Sequence, residues 1–175
     1  MEIIFLIVLL RLIVPISILR WPFWGGVAAT AADALDVVIM DALRGPGFGT
    51  TYAQLDKVLD TYYISMIALV TTKWEPLAKW TTISLFFYRF IGVILFESTG
   101  TRVFLFFFPN LVEFFFLFWA ARNVYFPRFR LTPKRLAVVL LLLLIPKMAQ
   151  EYLLHYIQAK PWEWMKENLF WWLFS

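Results

Sequence analysis

Between Ile3 and His155 the chain is a succession of six apolar runs separated by short polar turns. Hydrophobic residues make up 62% of it and charged residues only 16%, against about 45–50% and about 25% in ordinary soluble domains. At roughly 20 residues per spanning helix, the 175 residues accommodate six crossings with little left over. The expected fold is therefore all-α, a polytopic membrane protein with a six-helix transmembrane bundle over residues 1–158. Residues 159–175 mix Trp162, Trp164, Trp171 and Trp172 with Glu163, Lys166 and Glu167, and are expected to form a short interfacial amphipathic helix. Such a layout has no room for a separate soluble catalytic domain or a DNA-binding module.

The first run, Ile3 to Leu19, has Glu2 and no basic residue before it, the wrong flank for a signal peptide, so it is read as a retained helix. A second helix is expected from Phe23 to about Leu43, rich in alanine and opened by Gly25-Gly26. Small residues let helices approach closely in lipid. Arg44 to Thr50 is a glycine-rich turn, whose backbone N–H groups together with Arg44 are suited to an anion such as a lipid phosphate. Further helices are expected at Tyr52–Thr72, Trp80–Phe96 and Arg102–Trp119, the last running on despite Pro109. Thr132-Pro133 caps the sixth, which runs to about His155 with Pro146 inside.

With six crossings both termini share one face. The opposite face receives Arg20, Lys73, Lys79, Arg122, Arg128, Arg130, Lys134 and Arg135; the terminal face receives Arg44, Arg102, Lys160 and Lys166. The excess of basic residues marks the first set as cytoplasmic. The expectation is an integral protein of the plasma or inner membrane with non-cytoplasmic termini. The net charge of +4 is then an orientation signal, and nucleic acid is not an expected partner.

All five aspartates, Asp33, Asp36, Asp41, Asp56 and Asp60, lie in one helical hairpin. A carboxylate in hydrocarbon costs at least about 2.5 kcal/mol, so such a set needs cations, protons or water. At about 100° per residue, Asp33 and Asp36 share one face, as do Asp56 and Asp60. The turn near Gly47 puts Asp36 level with Asp60 and Asp41 level with Asp56. Folding the first two helices about Trp21 sets Arg11 beside Asp33. Folding the fourth and fifth about Thr99 sets Arg89 beside Asn110, one turn from Glu113. On the sixth helix Lys147, Glu151 and His155 form one stripe. These groups occupy one half of the bilayer and predict a polar cavity open to the terminal side. Arg11 and Arg89 are read as counter-ions to the acids, and Asn110 as a partner for carbonyls freed by Pro109.

The chain has no cysteine and one histidine, which excludes thiolate chemistry and multi-histidine zinc sites. Carboxylates alone favour hard divalent ions such as Mg²⁺, Mn²⁺ or Ca²⁺. The residues point first to a cation- or proton-binding membrane protein, either a small transporter or a subunit of a larger complex, with membrane lipids and other subunits as partners. A purely structural subunit, whose charges tie helices together, stays open, as does an enzymatic role.

Asp33-x-x-Asp36 followed by Asp56-x-x-x-Asp60 resembles the carboxylate signature of the CDP-alcohol phosphotransferases over residues 33–60, and Arg11 with Pro15 loosely resembles that family's first helix. The resemblance implies a six-helix, divalent-metal-dependent transferase of phospholipid head groups. It further implies Asp33, Asp36 and Asp56 as metal ligands, with Asp60 as a ligand or the catalytic general base that activates the acceptor alcohol.

Overall fold

The computed structural model describes residues 2–43, 49–153, 164 and 168, with side chains given for 5–36, 38–39, 55–153, 164 and 168. Arg44 and its loop, His155 and most of the expected C-terminal helix lie outside the described residues, as does the side chain of Asp41.

The described chain is all-helical: α1 (Glu2–Ile13), a 3₁₀ turn (Val14–Leu19), α2 (Pro22–Leu43), α3 (Gly49–Thr71), α4 (Pro76–Thr99), α5 (Val103–Phe107), α6 (Leu111–Tyr125) and α7 (Pro133–Glu151). Pro15, which has no backbone N–H to donate, opens the tighter 3₁₀ segment, and Ser17 Oγ donates to the Val14 carbonyl at 2.6 Å. This turn folds α1 back along α2. A Cβ added to Gly25 would lie 2.6 Å from the Ile18 amide nitrogen, so the absence of a side chain there allows the close contact. Thr132 caps α7 through its hydroxyl, accepting from the Arg135 amide at 3.4 Å, with Pro133 at the first helical position as its composition predicts. The helix continues through Pro146.

One expectation fails. The fifth helix is not continuous: α5 stops at Phe107, and Phe108, Pro109 and Asn110 leave helical geometry before α6 begins. The proline removes a donor and clashes with the preceding turn, and the break is held from α4. Gly92 packs directly against the Phe108 side chain, which a Cβ would overlap. Arg89 Nη1 donates to the carbonyls of Phe108 at 2.8 Å and Leu105 at 3.2 Å.

The core lies along α6, which packs on α2, α3, α4 and α7. Val112 and Phe116 join Ile18, Ala29, Tyr63, Ile64 and Ile67, while Phe115 and Trp119 join Ala78. The exterior carries many large apolar side chains: Phe5, Ile13, Trp80, Phe107, Leu141, Leu142 and Ile145 are each more than half exposed. On α7 this inverts the soluble pattern, because Lys147 and Glu151 are buried while Ile145 faces outward. Among the described residues, two stretches are long and apolar enough to cross a membrane, Pro76–Thr99 and the broken Val103–Tyr125. Helices α2 and α3 have the length but carry the aspartates.

Candidate functional site: an arginine among four aspartates

The four aspartates singled out as metal ligands converge, and Arg11 lies at their centre. Its guanidinium offers a planar fork of donors. Nη1 donates to Asp36 Oδ2 at 2.5 Å and Asp56 Oδ1 at 2.7 Å; Nη2 donates to Asp60 Oδ1 at 2.6 Å and to Asp33. Three helices thus meet at one side chain. The 3₁₀ turn sets the depth of Arg11, the three-residue spacing of α2 presents Asp33 and Asp36, and the four-residue spacing of α3 presents Asp56 and Asp60.

A second cation completes the group. Lys57 Nζ donates to Asp56 Oδ2 at 2.7 Å and Asp60 Oδ2 at 3.1 Å, so each of these carboxylates gives one oxygen to Arg11 and the other to Lys57. Sequence reasoning passed over Lys57. The signal was present, since a lysine adjacent to Asp56 and three residues before Asp60 lies within reach of both. Arg11 is 4% exposed, Asp36 2% and Lys57 8%, whereas Asp33, Asp56 and Asp60 are half-buried.

Among the described residues, Arg11 and Lys57 meet these carboxylates directly, and Arg89 lies within electrostatic range of Asp60. Asp33, Asp56 and Asp60 each offer an oxygen within 4.8 Å of the others, a donor set of the type hard divalent ions take. Those same residues all accept from Arg11. An ion among these carboxylates would lie beside the like-charged guanidinium, so the residues fit a metal only where Arg11 withdraws.

A small pocket of about 10 Å³, lined by Arg11, Pro15, Ala29, Ala32, Asp33 and Tyr63, has room for about one water.

The remaining polar residues form a second group at the α5–α6 break. The Asn110 amide N–H donates to Glu151 Oε1 at 3.2 Å, and its side-chain Nδ2 to Glu113 Oε2 at 3.5 Å. Lys147 Nζ lies 3.3 Å from Glu151 and donates to Gln150 at 2.9 Å. Arg89 holds the freed carbonyls, at the negative end of the α5 peptide dipoles, and also lies within electrostatic range of Asp60, as a counter-ion would; Asn110, expected to meet those carbonyls, turns its side chain to Glu113 instead.

No family model, curated protein or solved structure matches the chain.

Proposed function

We propose that this chain is an integral membrane protein, a six-helix bundle, whose carboxylate-rich site takes up a cation or a proton. It acts as a small transporter or as a subunit of a larger membrane complex. The observation that carries this reading is the convergence of four aspartates from two helices on one small volume, three of them with oxygens close enough together to share one ion. The apolar exterior supports the membrane, because soluble monomers rarely expose contiguous apolar patches beyond a few hundred Å². The basic loop residues support termini on the non-cytoplasmic face.

The test is thermal melting of the purified chain in detergent, with Mg²⁺, Mn²⁺ or Ca²⁺ and across pH. A bound ion stabilises by about 2.7 kcal/mol at a hundredfold excess over its Kd. The expected result is a rise in Tm that Asp36→Asn or Asp60→Asn abolishes. A melting curve indifferent to all three ions and to pH sinks the reading and leaves a closed charge cluster that ties α1, α2 and α3 together.

One observation favours a second reading, a metal-dependent head-group transferase with Asp60 as general base. The metal-competent set Asp33, Asp56 and Asp60 lies within the stretch that resembles the CDP-alcohol phosphotransferases. Release of CMP from a CDP-alcohol in nanodiscs, dependent on Mn²⁺ or Mg²⁺, selects it; no release across common acceptor alcohols removes it.

A further inference from the structure

We propose that the end of α6 and the loop after it bind an anionic phospholipid, one acyl chain lying in an apolar cavity and the phosphate meeting the arginines beside it. The proposal rests on the membrane reading above and gives the basic loop a role beyond orientation.

A cavity of about 290 Å³, open on one side, is lined by Phe118, Ala121, Arg122, Phe126 and Phe129. That is close to the roughly 300 Å³ at which ligand pockets begin. It lies where the stretch Val103–Tyr125 ends, the level at which a spanning helix reaches the head groups. The loop that walls it is held in place. The Phe129 amide donates to the Phe126 carbonyl at 2.9 Å, closing a turn with Pro127 at its second position. Arg122, 8% exposed, donates from Nε to the Phe129 carbonyl at 2.7 Å. Its Nη1 is committed to Glu75 and Asn123, so this guanidinium is a strut for the loop.

The charge beside the cavity is of one sign. No Asp or Glu occurs between Glu113 and Glu151, the stretch that holds Arg128, Arg130, Lys134 and Arg135. All four are exposed, and among the described residues none of them forms an ion pair; Glu75 is taken by Arg122. Arg135 lies on the cavity wall, its guanidinium carbon 5.5 Å from the centre of the Phe129 ring and its Nη1 donating to the Arg130 carbonyl at 3.1 Å. Apolar walls call for hydrocarbon, and the cations call for an anion. An anionic phospholipid supplies both in one molecule, and the arginine fork suits its phosphate because it donates to two oxygens at once. A zwitterionic head group brings its own ammonium among these cations, a like-charge contact that opposes binding.

The test titrates the delipidated full chain in detergent with phosphatidylglycerol and with phosphatidylcholine of the same acyl chains. Phosphatidylglycerol is expected to bind the more tightly. Arg130→Gln and Arg135→Gln are each expected to weaken it about fivefold, the effect of one basic residue near an anionic lipid surface. Ala121→Leu narrows the cavity, leaves every charge in place and is expected to weaken it as well. Equal binding of the two lipids, or an affinity unchanged in both arginine variants, overturns the proposal. If Ala121→Leu does not fold, dihexanoyl phosphatidylglycerol replaces it: binding as tight as that of the long-chain lipid overturns the cavity's part and the proposal with it. A dimer that Ala121→Leu dissociates, without head-group preference, overturns it in favour of a second copy on this face. Carbonate extraction of membranes separates the two readings. Release of the chain ends the membrane reading and the lipid site together, whereas a retained chain indifferent to head group ends the lipid site alone.

Discussion

Arg11 and Arg89 are both buried, at 4% and 2% exposure, yet they solve opposite problems. Arg11 meets four carboxylates from two helices. Arg89 meets two backbone carbonyls at the end of α5. The first cation answers full charges and the second answers dipoles. A buried guanidinium therefore does not by itself identify an acidic site; the partners decide whether it is a counter-ion or a cap on broken backbone. The first role brings segments distant in sequence together, and the second makes an interruption of a helix tolerable where it stands.

That contrast is breakable. Arg11→Met strands four aspartates around Lys57, and removing one partner of a buried charge cluster costs about 3–5 kcal/mol. The expected outcome is the largest loss of stability in the chain, seen as a collapse of Tm in detergent, with partial rescue by millimolar Mn²⁺ if the metal reading holds. A parent-like Tm in ion-free buffer would show that the cluster is not held by Arg11. Arg89→Met leaves two carbonyls bare at about 1–3 kcal/mol for each buried group. Its melting should stay indifferent to metal, and hydrogen exchange should rise at the start of α6. Equal metal rescue in both variants would erase the distinction. A third arginine sharpens the scale. Arg122 donates to Glu75 at 3.0 Å, to Asn123 at 2.9 Å and to the Phe129 carbonyl at 2.7 Å. Glu75 is 58% exposed, so Glu75→Gln should cost under about 1 kcal/mol, and a greater loss in the same melting assay would mean the pair is shielded.

Much of the site was legible because helical geometry is periodic. The spacings 33/36 and 56/60, with a turn between them, suffice to bring four carboxylates to one volume, and folding at Trp21 places Arg11 level with Asp33. Arg89 was likewise placed beside Phe108 to Asn110, and one of its hydrogen bonds goes to Phe108, the other to Leu105 a turn earlier. What escaped was tertiary. Pro109 is visible in the sequence, but the apolar run on both sides favours a continuous helix. The donors of Arg89 and the bare α-carbon of Gly92 on α4, with Glu151 on α7 accepting from the Asn110 amide, make the interruption favourable. Lys57 escaped because adjacent helix positions point 100° apart, which hides that a long flexible stem reaches both carboxylates.

The reach of Arg11 along the chain, 49 residues to Asp60, has a consequence for biogenesis. Translation proceeds at about 5–20 residues per second, so the guanidinium is synthesised seconds before its last partner exists. An isolated first segment would carry an arginine costing about 2.5–3.5 kcal/mol at mid-helix, with nothing yet to neutralise it. On the proposed membrane reading, the N-terminal segment waits beside the insertion machinery or at the lipid boundary until the third helix emerges, and the three enter the bilayer as one unit.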